Sequence, residues 1–170
     1  MGELIARSVT LGYGDRVVAR DLDVEVPAGR ITSIVGPNGC GKSTLLRGFS
    51  RLLAPSSGEI LLDGDDVATL PARELARRLG LLPQSPITPE AMTVAELVGL
   101  GRHPHRALLG GWSRADQDAV DEALEMTRTA ELAGRRVDQL SGGQRQRVWI
   151  ATVLAQRTAT LLLDEPISFL

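Results

Sequence analysis

RITSIVGPNGCGKSTLLRGF, Arg30 to Phe49, decides how this chain is read. The β-branched run Arg30 to Gly36 predicts a strand, and the stretch from Lys42 onward, KSTLLRGFSRLL, predicts a helix. Between them GPNGCGKST, Gly36 to Thr44, fits the pattern G-x-x-x-x-G-K-[ST]. A phosphate-binding turn needs backbone amides facing inward without side chains in the way, and Gly36, Gly39 and Gly41 permit that. Lys42 then reaches the β- and γ-phosphates of a nucleotide and Ser43 offers a hydroxyl to Mg²⁺. A glycine-rich turn that merely joins two elements is the plain alternative, and the strand before it and helix after it argue for the phosphate reading.

Working outward, 170 residues suffice for one domain with a sizeable core. With 19 Lys and Arg against 21 Asp and Glu the net charge is −2, which excludes attachment to nucleic acid by bulk positive charge. Aromatic residues make up only 3%, so base-stacking platforms are not expected and the core must be built from Leu, Val, Ile and Ala. The single cysteine, Cys40, has no partner for an internal disulfide. No apolar run approaches the roughly 18 residues that cross a bilayer, and the N-terminal stretch has no signal-peptide pattern. A cytosolic setting is expected, with any membrane role arising through a partner.

Short strands are expected at LIARSVTLGY, DLDVEVPAG and GEILLDG, then a short helix opened by Pro71 and a strand at LGLLPQ. Beyond Thr93 the pattern is helical, and Thr93 with Glu96, like Ser113 with Asp116, fits a capping box. A helix over about QRQRVWIATVLAQ leads to the apolar strand Thr160 to Leu163. Alternating strands and helices imply an α/β core with a helical insertion between about Pro86 and Leu140.

Asp164 and Glu165 follow the last strand, at the rim where open parallel sheets bind ligands. Asp164 suits Mg²⁺, through water, and Glu165 suits taking a proton from the water that attacks a γ-phosphate; an acidic strand end leading to a proline turn is the bland alternative. LSGGQ, Leu140 to Gln144, sets Ser141 at a helix N-cap followed by Gly142 and Gly143, a second amide-rich helix start.

The order GPNGCGKST, Gln84 after a strand, LSGGQ, then LLLDEP resembles the nucleotide-binding domain of ABC transporters, from about Arg7 to Pro166. The resemblance implies an α/β fold: a P-loop NTPase (RecA-like) core with an N-terminal antiparallel β subdomain and an inserted α-helical subdomain carrying the signature. One domain would fill 1–170, with the β subdomain and P-loop core at about 1–85 and 158–170 and the helical subdomain at about 86–157. It implies ATP and Mg²⁺ as ligands. Tyr13 would stack on adenine, and Gly36, Pro37, Asn38, Gly39, Cys40, Gly41, Lys42, Ser43 and Thr44 would cradle the phosphates. Ser43, Gln84 and Asp164 would serve the metal; Glu165, Lys42 and Gln84 would serve hydrolysis. Ser141, Gly142, Gly143 and Gln144 would contact the γ-phosphate held by a second copy, in a head-to-tail dimer that sandwiches two ATP molecules. For Tyr13 the alternative is a strand-edge aromatic, and for Gln84 an exposed loop amide.

The insertion TVAELVGLGRHPHRALLGGWSRADQDAVDEALE is similar to ATP-binding subunits that drive import of iron(III)-siderophores, haem and vitamin B12. That resemblance implies an ATPase at the cytoplasmic face of the membrane, held there by permease subunits that dock a helix beside the Gln84 loop. A substrate-binding protein would select the cargo, and no nucleic acid is involved. Other readings are a non-transport ATPase of the same superfamily and a hydrolytically inactive nucleotide-binding fragment.

His103 and His105 flank Pro104 without a neighbouring Cys, Asp or Glu, so a solvated loop is expected rather than a metal site. Arg77 with Arg78, Arg135 with Arg136, and Arg145 with Arg147 read as solvated faces or local salt-bridge partners. The family's later Asp-containing loop and switch histidine have no counterpart after PISFL, Pro166 to Leu170. The expectation is a piece of a longer chain with an incomplete sheet at its C-terminal end, lacking the strand between the phosphate-loop strand and the strand of Asp164.

Overall fold

Leu4, Ala6, Val9 and Leu11 are buried along LIARSVTLGY, which forms strand β1, Leu4–Tyr13. β1 pairs antiparallel with β2, Arg16–Val26, on one side and with β3, Ser57–Leu62, on the other. A two-residue strand β4, Asp65–Asp66, completes a sheet of order β2-β1-β3-β4. The computed structural model describes residues 2–86, 91–106 and 110–166. Readings that fall on 107–109 in the His103 loop or on 167–170 in PISFL lie outside the described residues.

The chain divides into two compact units, 1–79 and 80–170. In the first, helix α1, Lys42–Phe49, buries Leu45, Leu46 and Phe49. Gly48 allows the close approach of this helix to the sheet, since a Cβ there would stand 3.0 Å from Leu11 Cδ1. Helix α2, Ala72–Arg78, ends in Arg78, whose guanidinium bridges Asp63 at 3.2 Å and Asp65 at 2.7 Å.

The expected strand at Arg30 to Gly36 does not form: among the described residues it pairs with no other strand. Ile31 is 98% exposed and Val35 91%. β-Branched residues favour extended backbone, but a strand is completed only by a neighbour that meets its amides and carbonyls.

Strand β5, Leu79–Leu82, which begins at the last residue of the first unit and otherwise lies in the second, pairs with β6, Thr160–Leu163, in a two-stranded parallel sheet. Between them run helices α3, Val94–Gly99, α4, Arg114–Met126, and α5, Gly142–Ala155. Their buried faces supply one core that includes Val94, Leu97, Val98, Val120, Leu124, Val137 and Val148. Thr93 and Ser113 both close the capping boxes expected of them.

Arg102, in the 3-10 helix Leu100–His105, is buried in the same unit. Its Nε donates to Asp116 Oδ1 at 3.0 Å and its Nη1 to the Ala155 carbonyl at 2.8 Å, tying this turn to α4 and the end of α5. His105 Nε2 lies 2.7 Å from the Gln156 carbonyl, 51 positions away in sequence, so this half-buried imidazole at the end of the 3-10 helix is held by tertiary packing rather than lying in the solvated loop expected of it.

Candidate functional site

α1 begins without a side-chain cap: Gly41, at φ +102, occupies the N-cap, and no acidic residue stands in the first turn. The positive end of this helix therefore meets no carboxylate of its own element. Gly39 also has positive φ, +79, so the two glycines supply backbone that other residues rarely adopt. At Gly36 the constraint is contact, since a Cβ would come 2.8 Å from Cys40 Sγ.

Lys42 Nζ folds back over this turn, donating to the carbonyls of Gly36 at 2.9 Å and Pro37 at 3.0 Å, with Cys40 Sγ at 4.0 Å. The Cys40 amide donates to the Pro37 carbonyl at 3.3 Å, so Gly36 to Lys42, Asn38 included, closes as one turn. Ser43 and Thr44 follow in the first turn of α1, and Cys40 is exposed.

Tyr13 ends β1 in the same unit, 44% exposed. Its hydroxyl accepts from Arg47 Nη1 at 3.1 Å. Hydrogen bonding with Thr44, and after it the Arg47 guanidinium, holds the phenol below its ordinary value although burial pulls the other way. Both partners belong to α1, which fixes the aromatic ring beside the helix that the glycine turn opens.

In the second unit, Gln84 follows β5 and Asp164 and Glu165 follow β6, at the carboxyl end of the parallel pair. The Asp164 amide donates to the Leu82 carbonyl at 2.9 Å, continuing the ladder by one bond. Gln84 Nε2 donates to Glu165 Oε2 at 2.6 Å. Asp164 is buried, whereas Glu165 has φ +47, in the left-handed region.

Ser141 caps α5, accepting from the Gln144 amide at 3.3 Å, while Gln144 Oε1 accepts from the Ser141 amide at 3.0 Å. This is a third capping box, closed by the signature glutamine itself. Gly142 and Gly143 occupy the first two helical positions, where nothing lies within 4 Å of a Cβ built on Gly143. Sequence reading finds Ser141 as the cap but passes over the S-x-x-Q spacing that reveals the box. It also passes over Gln146, whose Nε2 donates to the Pro166 carbonyl at 2.8 Å.

A family model described as ABC transporter matches residues 19–168, nearly the whole chain. The chain belongs to the ABC transporter family. This ABC cassette is 52% identical to the ferric enterobactin transport ATP-binding protein FepC of Escherichia coli (strain K12), covering 100% of this chain and 64% of that protein. It is 49% identical to the probable siderophore transport system ATP-binding protein YusV of Bacillus subtilis (strain 168), covering 100% of this chain and 62% of that protein. The cassette thus spans less than two thirds of the length of these relatives. Among solved structures it is similar to a bacterial Atm1-family ABC exporter with ATP bound, at TM-score 0.85 and 34% identity over 99% of this chain and 30% of that one. It is also similar to a nucleotide-free ATP-binding cassette from an ABC transporter, at TM-score 0.84 and 26% identity over 99% of this chain and 70% of that one. The fold is that of a P-loop NTPase.

Proposed function

We propose that this chain binds and hydrolyses ATP to power an ABC importer of iron(III)-siderophore complexes. The observation that carries hydrolysis is the contact of Gln84 with Glu165, which brings an amide and a carboxylate together at the carboxyl end of parallel strands. Support for the cargo class comes from relatives whose names specify ferric enterobactin and siderophore transport.

Nucleotide phosphates suit the Gly36 to Thr44 turn, because its glycines let amides converge and α1 presents an uncapped positive end. Lys42, now donating to two carbonyls of the same turn, exchanges them for the more strongly accepting oxygens of a phosphate. Tyr13, anchored through its hydroxyl, offers its ring to the base. Mg²⁺ would supply charge neutralisation at the phosphates, and the Ser43 hydroxyl, Gln84 amide and Asp164 carboxylate are the oxygen donors a hard cation takes. Glu165 is the proton acceptor for the attacking water, and Gln84 orients its carboxylate by occupying Oε2.

Ser141, Gly142 and Gly143 form a second anion-ready helix start, which one nucleotide per chain does not require. A head-to-tail pair of chains gives that start a γ-phosphate to bind. A permease helix fits the cleft of about 500 Å³ lined by Leu81, Pro83, Pro86, Leu100, Trp149 and Val153, next to Gln84. Among the described residues no helix is long and apolar enough to cross a membrane, so in this reading the cassette is held at the membrane by that helix.

The test is reconstitution with the cognate permease in vesicles. Phosphate release that rises on addition of a ferric siderophore and its binding protein supports the reading; absence of ATP hydrolysis under those conditions rules it out.

A further inference from the structure

The second unit carries a polar contact that hydrolysis, as proposed, does not use. Gln146, one turn into α5, reaches the Pro166 carbonyl at 2.8 Å across 20 positions of sequence. Only the amide nitrogen can face a carbonyl oxygen, so the orientation of this side chain is fixed. The acceptor belongs to the residue immediately after Glu165, and Glu165 stands at φ +47. A residue with a Cβ persists in that region only where its surroundings hold it. Two glutamines do so: Gln84 grips the Glu165 carboxylate, and Gln146 grips the next carbonyl along the chain.

Gln146 also sits on the helix that Ser141 caps, about 7.5 Å along the axis from the cap at the rise of an α-helix. Its neighbour Arg145 turns the other way and donates to the Leu140 carbonyl at 3.3 Å, whereas Gln146 joins α5 to the Pro166 turn. We propose that Gln146 is a positioning residue, which couples the place of the signature helix to the orientation of Glu165. The inference rests on the proposed function, in which the start of α5 binds the γ-phosphate held by a second copy while Glu165 acts on the ATP held by its own chain. Whatever draws the helix start onto one nucleotide then moves, through Gln146, the base that serves the other. In this way the Gln146 amide links the two ATP sites of a dimer inside each chain.

Steady-state phosphate release against ATP concentration, in the full-length ATPase with its permease, tests this. Wild type is expected to show a Hill coefficient above unity. Gln146→Leu removes the donor and lowers kcat about tenfold, as does loss of about 1.4 kcal/mol of transition-state positioning, with KM held and the Hill coefficient falling to unity. Gln146→Glu, which keeps the side-chain shape but cannot donate, behaves alike and guards against a folding defect in the leucine variant. Gln146→Lys, which can donate to the same carbonyl, restores most of kcat and the cooperativity. Wild-type kinetics in both donor-less variants overturn the inference. So does an equal loss of kcat in all three variants with the Hill coefficient unchanged, since that is the mark of packing alone. A wild-type protein that hydrolyses no ATP fails the functional reading itself, a different result from either.

Discussion

Gln84 and Glu165 lie 81 positions apart, yet their side chains meet at 2.6 Å because each stands two residues beyond one of a pair of parallel strands. The ladder bond from the Asp164 amide to the Leu82 carbonyl sets this register, so the contact is a property of the sheet rather than of two mobile loops. Glu165→Gln keeps the shape and removes the carboxylate proposed as proton acceptor. Phosphate release is expected to fall by about a hundredfold or more, the usual contribution of a positioned base, while binding of a fluorescent ATP analogue is retained. Equal loss of binding and turnover in that variant would assign Glu165 to the fold instead.

Cys40 offers a second test, because its Sγ lies where a Cβ on Gly36 would come within 2.8 Å. A group added to this exposed thiol crowds the turn that Lys42 closes over. N-ethylmaleimide is expected to abolish nucleotide binding, with Mg-ATP slowing the modification and Cys40→Ser rendering the protein insensitive. Full alkylation with unchanged affinity for ATP would remove Cys40 from the phosphate turn.

The capping boxes separate stability from function. Thr93→Ala removes a cap from α3, a helix that supplies no residue assigned to the nucleotide, and is expected to cost about 1 kcal/mol with ATP turnover unchanged. Ser141→Ala removes an equivalent cap from α5 and is expected to cost a similar amount while also reducing turnover. Urea unfolding measures the first quantity and phosphate release the second. Equal turnover in the two variants would make Ser141 a cap and nothing more.

Features carried by neighbours in sequence were the legible ones. β1 and β6 form over the very residues that alternation and apolar runs indicate, and Thr93 and Ser113 cap helices because a box needs only residues three apart. The glycine turn was equally plain, since its constraint is local backbone conformation. Arg30 to Gly36 misled for the opposite reason: its composition suits a strand, but pairing is a contact with another segment, and no described strand supplies it. The contacts of Gln84 with Glu165, Gln146 with Pro166 and Arg102 with Asp116 were invisible because each joins distant positions through tertiary packing.

Asp116 yields the last prediction. Its carboxylate accepts from the Ser113 hydroxyl at 2.6 Å and from Arg102 Nε at 3.0 Å, in a pair whose side chains are both almost wholly buried. The bond from Ser113 first, then Arg102, hold its pKa down to about 2 against the opposing effect of burial. A folded-state value below the unfolded one, near 3.9, means the stabilisation is complete above the unfolded pKa and is lost as pH falls through about 4 towards 2. The difference corresponds to roughly 2.5 kcal/mol at neutral pH. Asp116→Asn leaves Arg102 charged and buried without its counter-ion, which costs about 3 kcal/mol or more. Asp63 and Glu96 are also held low, by amide and arginine partners and by Thr93 respectively, so acid weakens the whole chain and only the wild-type-minus-variant difference isolates Asp116. Urea unfolding is expected to show that difference shrinking from about pH 5 to about pH 2, as protonation of the wild-type carboxyl makes it resemble the amide. A difference that stays constant over that range would mean that Asp116 stabilises the fold through packing and its neutral hydrogen bonds, with no contribution from its charge.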